Sequence, residues 1–87
     1  MSGKKLIRSE FYLICTENDQ VIANEYDDHS IEIVYEYHLR NDKGDYDYIY
    51  HHYDGSPDYH RSGRFSEAGM KTWYENIRLY QEARANI

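Results

Sequence analysis

The chain predicts an α+β domain: a small antiparallel sheet of about four strands with one C-terminal amphipathic helix packed on one face. Three observations lead there. Residues 31–40 and 45–53 alternate with a period of two, as half-buried strands do. Residues 70–80 instead repeat their apolar side chains at three- and four-residue steps, which makes one helical stripe. Eighty-seven residues suffice for one core and no more. The expected layout is a single domain over 1–87, with a flexible start at 1–5, antiparallel strands within 6–53, a loop at 54–64 and a helix at 66–85.

Leu6 to Thr16 is rich in β-branched and aromatic residues and reads as a strand. The polar cluster 17–20 turns it back into a second strand that ends near Tyr26. Asp27-Asp28-His29-Ser30 is the next turn. In the strand that follows, Ile31, Ile33, Tyr35, Tyr37 and Leu39 fall on one face, and Glu32, Val34, Glu36, His38 and Arg40 on the other. Asn41-Asp42-Lys43-Gly44 has the content of a hairpin loop. Residues 45–53 set Tyr46, Tyr48 and Tyr50 against Asp45, Asp47 and Ile49. Asp-Gly-Ser-Pro and Arg-Ser-Gly-Arg mark residues 54–64 as a loop. Ser66 suits a helix N-cap, Glu67 suits the first turn, and Phe65 and Met70 are spaced as a hydrophobic staple. Trp73, on the apolar stripe, is expected in the core.

The charges are sorted along the chain. From Glu17 to Asp58, twelve acids meet two bases, Arg40 and Lys43, a balance of −10. The flanks carry eight bases and four acids, a balance of +4, which gives −6 for the whole. Eight of the eleven tyrosines lie with the acids, between Tyr26 and Tyr59. Tyrosine must build part of the core, and the remaining rings suit an interface. The negative balance opposes direct contact with nucleic acid or an anionic membrane. No stretch reaches the ~20 apolar residues of a membrane span. The start Met-Ser-Gly-Lys-Lys has no apolar run behind it, so a cytoplasmic protein without signal peptide is expected. Cys15 is the only cysteine, sits in an apolar run, and reads as a buried structural thiol.

No catalytic constellation emerges. His51, His52 and His60 lie near Asp54 and Asp58, but adjacent strand residues point to opposite faces, and the spacing matches no zinc pattern. There is no phosphate loop and no nucleophile elbow. The chain is expected to be no enzyme and to hold no metal and no cofactor.

Size, acidity and aromatic content over the whole chain look like those of phage-encoded nucleic-acid mimics that block CRISPR effectors or restriction enzymes. They are also similar to those of bacteriocin immunity proteins, which neutralise basic nucleases. The likeness lies in these bulk properties, and no family's binding residues transfer. The expected function is a small acidic protein-binding inhibitor that occupies the basic nucleic-acid-binding surface of a nuclease or CRISPR effector. Asp27, Asp28, Glu32, Glu36, Asp45, Asp47, Asp54 and Asp58 are expected to supply charge, and Tyr46, Tyr48, Tyr50 and Tyr59 flat contact area. In that reading Glu32 and Glu36 share a face and form an array with Asp45 and Asp47. The alternatives are a non-catalytic adaptor or accessory subunit using its tyrosine-rich sheet, also as a homodimer, and a single-stranded nucleic-acid binder.

Overall fold

The computed structural model describes residues 3–52 and 54–85. The expectations for Met1, Ser2 and Tyr53 lie outside the described residues. Five strands form one antiparallel meander: β1 (Leu6–Cys15), β2 (Asp19–Tyr26), β3 (Ile31–Leu39), β4 (Asp45–Tyr50) and β5 (Tyr59–Arg64). The helix α1 (Glu67–Ala85) follows. The α+β class is as expected, with one strand more. β5 occupies the second half of the segment read as a loop. Its own side chains are mostly polar, and its pairing partner is β4, with Tyr50 opposite Tyr59 and Asp45 opposite Arg64.

The turns are built from short polar side chains. Asp19 N donates to Thr16 Oγ1 at 3.1 Å between β1 and β2. Ser30 N donates to Asp28 Oδ1 at 3.0 Å between β2 and β3. Asn41 Oδ1 accepts from Lys43 N at 3.0 Å between β3 and β4. Gly44 closes that turn at φ +97°, a conformation glycine adopts without a Cβ penalty. Its carbonyl accepts from Phe65 N at 2.9 Å, which joins the turn to the start of the helix. There Ser66 Oγ caps Gly69 N at 3.1 Å, as the sequence predicts.

The helix lies over one face of the sheet, towards the β1–β2 and β3–β4 turns. Cys15, Leu39, Trp73 and Ile77 form the buried cluster, with Tyr12, Tyr37, Phe65, Met70 and Tyr80 packed on it. Burial pushes the Cys15 thiol pKa up. The polar atoms at this seam are paired. Trp73 Nε1 donates to Glu17 O at 3.0 Å, and Gln20 Nε2 donates to Trp73 O at 2.9 Å. Asn76 Nδ2 donates to Gln20 Oε1 at 3.2 Å, and Tyr80 OH to Leu13 O at 3.0 Å. These bonds fix the helix to β1 and β2 without leaving a buried polar side chain unsatisfied among the described residues.

One irregularity changes the faces of β3. Ile22 pairs with Tyr35, but the next β2 residue, Ala23, pairs with Ile33, so Val34 is an extra bulged residue. Ile22 and Ala23 point to opposite sides, and their partners do as well. Ile31 and Ile33 therefore lie on the reverse face from Tyr35, Tyr37 and Leu39, which corrects the unbroken alternation expected for this strand. β1 has three further register shifts, which break up an outer edge that could otherwise pair with another chain. No described helix is long and apolar enough to cross a membrane.

Candidate protein-binding surface

Register sorts the candidate residues into two faces. On the helix side, one cross-strand row runs Cys15, Gln20, Tyr37, Tyr48, Arg61, and the next runs Tyr12, Ile22, Tyr35, Tyr50, Tyr59. A third holds Leu39, Tyr46 and Gly63. The tyrosines touch one another as cross-strand pairs do. Ring centroids lie 4.9 Å apart for Tyr37 and Tyr48, 5.3 Å for Tyr35 and Tyr50, and 6.4 Å for Tyr48 and Tyr59. Tyr46 stacks on Phe65 at 4.2 Å, and Gly63 makes room for it, since a Cβ there would lie 2.8 Å from the Tyr46 hydroxyl oxygen.

These rings divide between two tasks. Tyr37 packs against the buried cluster, and burial followed by its tyrosine neighbours pushes its hydroxyl up to about 12. Tyr46 leans on Phe65 in the same region. Tyr35, Tyr48 and Tyr50 continue the aromatic surface beyond that cluster and are half-buried, and Tyr59 is 49% exposed. Tyr35 joins this aromatic surface because the β3–β4 register sets it opposite Tyr50.

Asp45, Asp47 and Glu36 are on the reverse face, and most of their charge is already engaged. Asp45 Oδ1 accepts from Arg64 Nε at 2.7 Å and Oδ2 from Asn41 Nδ2 at 2.8 Å. The Arg64 bond, then the Asn41 bond, hold the Asp45 carboxyl pKa down at about 2. Asp47 accepts from Ser62 Oγ at 2.9 Å and lies 3.8 Å from Arg40 Nε. Glu36 lies 2.5 Å from His51 Nε2, and Asp58 lies 3.2 Å from the other nitrogen of that ring. Asp19 meets His38 at 2.9 Å, and Glu25 meets Arg8 at 3.0 Å.

Glu32 does not join that array, contrary to the sequence reading. The bulge at Val34 places it opposite Asn24 on the tyrosine side. Its Oε1 accepts from Tyr26 OH at 2.7 Å and from Asn24 Nδ2 at 3.2 Å. Asp27 and Asp28 sit in the β2–β3 turn. Asp27 Oδ1 accepts from Lys5 N at 3.0 Å, and bonds from Ser30 lower the Asp28 carboxyl pKa. Asp54 lies in the β4–β5 connection, where bonds from Ser56 lower its pKa. In an antiparallel meander both connections fall at one end of the sheet, so Asp27, Asp28, Asp54 and Asp58 gather at the end away from the start of the helix. Among the described residues, no group of three or more His, Cys, Asp or Glu side chains is arranged to hold a metal ion. Comparison with protein-family models, curated proteins and solved structures finds no match for this chain.

Proposed function

We propose that this protein is a non-catalytic inhibitor that docks on a positively charged, nucleic-acid-binding surface of another protein. The observation that carries the reading is the tyrosine surface of Tyr35, Tyr48, Tyr50 and Tyr59. It runs out from under the helix towards the acidic end of the sheet. Tyrosines in that setting offer rigid, amphipathic contact area at low entropy cost. The net charge of −6 steers a basic partner towards it. The contact side is then the tyrosine face with Glu32 and the end acids. Asp45, Asp47 and Glu36, tied to Arg64, Arg40 and His51, hold the sheet together from behind.

The test is competition. A basic partner retained on the immobilised protein at low salt is purified, and its binding to labelled oligonucleotide is measured with increasing amounts of this protein. Displacement of the oligonucleotide, weakened by raised salt, supports the reading. Full oligonucleotide binding at saturating inhibitor refutes it. A shift of the oligonucleotide by this protein alone would favour a single-stranded nucleic-acid binder.

A second reading rests on the reverse face. Ile14, Ile31 and Ile33 are 43%, 42% and 38% exposed there, around the buried Val21 and Ala23. Such a patch suits an adaptor, an accessory subunit or a homodimer. A mass that rises with concentration in sedimentation, unaffected by salt, would support it; a constant monomer mass would remove the homodimer.

A further inference from the structure

A groove of about 460 Å³ opens on the tyrosine side, beyond the helix. Glu10, Asn24, Tyr26, Glu32, Tyr35 and Tyr50 contribute to its lining. Three strands bring its two carboxylates together. Glu10 of β1 sits at a register shift, with φ +48°. Glu32 of β3 is turned to this side by the bulge at Val34. Asn24 of β2 stands between them: its Oδ1 accepts from Glu10 N at 3.0 Å, and its Nδ2 donates to Glu32 Oε1 at 3.2 Å.

The acids here differ from those on the reverse face and from Asp58 at the end of the sheet. Glu36, Asp45, Asp47 and Asp58 each have a cationic or histidine partner, whereas neither Glu10 nor Glu32 has an ion-pair partner among the described residues. Both hydrogen bonds to Glu32 go to Oε1, and Oε2 has no partner among the described residues. The walls are aromatic, with Tyr35 and Tyr50 rings 5.3 Å apart. The protein's own Lys4 already places Nζ over the Tyr26 ring, 5.0 Å from its centroid. The groove, lined also by His51, thus combines carboxylates that lack an ion-pair partner among the described residues with flat ring faces, one of which takes a cation within the same chain.

We propose that this groove receives an arginine side chain of the basic partner. A guanidinium suits it better than an ammonium, because it is planar, stacks on aromatic faces and presents a fork of donors to a carboxylate. Glu32 Oε2 takes the hydrogen bonds, Glu10 adds the second charge at the rim, and the tyrosine rings take the stacking. The inference rests on the protein-binding reading above and names the anchor for it.

The test needs no identified partner. Isotope-labelled protein is titrated with a short arginine peptide, its lysine counterpart and its citrulline counterpart. The ring signals of Tyr26, Tyr35 and Tyr50 and the amides of Glu10 and Glu32 are followed by NMR. The expected result is saturable shifts of these signals with the arginine peptide, weaker binding of lysine and none of citrulline. Glu32→Gln should weaken binding roughly tenfold, the loss of one charge-assisted hydrogen bond. Glu10→Gln, exposed and bonded only through its backbone, gives the same direction without touching the Tyr26 contact. Equal binding of citrulline, unchanged affinity in both variants, or shifts confined to Asp45, Asp47 and Glu36 would overturn the proposal. If the peptide fails while a basic partner still loses its oligonucleotide to this protein, the groove is wrong and the inhibitory reading survives. If competition fails while the peptide binds as described, the groove stands and the inhibitory reading falls.

Discussion

Replacing Trp73 by alanine tests whether the helix is held to the sheet by the contacts described. The indole is 3% exposed. Its centroid lies 5.6 Å from that of Phe65 and 6.5 Å from that of Tyr37, edge-on to the latter. Its Nε1–H bonds to Glu17 O at 3.0 Å. Truncating a buried aromatic side chain to alanine removes ~3–5 kcal/mol. A domain of this length holds roughly 4–13 kcal/mol in total, at about 0.05–0.15 kcal/mol per residue. Trp73→Ala should therefore remove about a quarter or more of that stability, and all of it at the low end of the range. Trp73→Phe keeps one ring, loses a hydrogen bond worth ~1 kcal/mol and leaves a partly unfilled space, for a total of ~2 kcal/mol. Urea unfolding followed by far-UV circular dichroism is the assay, because both variants lose the only tryptophan. The phenylalanine variant should unfold at a midpoint about 1 M lower, given a slope of ~1–3 kcal/mol/M. A loss below ~1 kcal/mol in Trp73→Ala would refute this packing of the helix.

Three further outcomes follow from the same geometry. Asp45, held down at about 2 by Arg64, contributes stability that is present above the ordinary aspartate range and lost as pH falls through about 2; NMR titration should show its carboxyl return towards the ordinary value in Arg64→Leu. Tyr37, raised to about 12, acts in the opposite sense. Its contribution is full below the ordinary tyrosine value of ~10 and disappears as pH rises towards 12, so alkaline ultraviolet titration should show it ionising late and with loss of structure. Gly63→Ala should destabilise by ~1–3 kcal/mol, because the new methyl meets the Tyr46 ring and disturbs its stack on Phe65; thermal unfolding with no loss of stability would contradict that contact.

Much of the framework is legible in local pattern. The helix follows from its apolar stripe and the Ser66 cap, and β4 from the alternation of tyrosine with aspartate. β5 is not legible, because Tyr59–Arg64 lacks an apolar face and becomes a strand only by pairing with β4. The bulge at Val34 is harder still. The sequence from Ile31 to Leu39 alternates without a break, and the phase change appears only in the register between β2 and β3. One extra residue moves Glu32 to the other face, and with it the expected carboxylate array comes apart. The charge count also hid the pairing: Asp45 with Arg64, and Asp58 with His51, meet across strands or loops that no single segment reveals. The groove is the product of these non-local events, since it needs a shift in β1, a bridge from β2 and a bulge in β3.

The central claim is that a basic partner sits on the tyrosine face and not on the aspartate face. It is tested most directly by the dissociation constant of the retained partner, measured at one low salt concentration, for two double variants that both remain folded by circular dichroism. Tyr48→Ser with Tyr50→Ser removes central aromatic contacts and should weaken binding by about thirtyfold, the ~2 kcal/mol of a hot spot. Asp45→Asn with Asp47→Asn alters the reverse face and should leave the constant within about threefold, as expected of charges outside the contact. The reverse ranking, with the aspartate variant losing the partner and the tyrosine variant keeping it, would contradict the account.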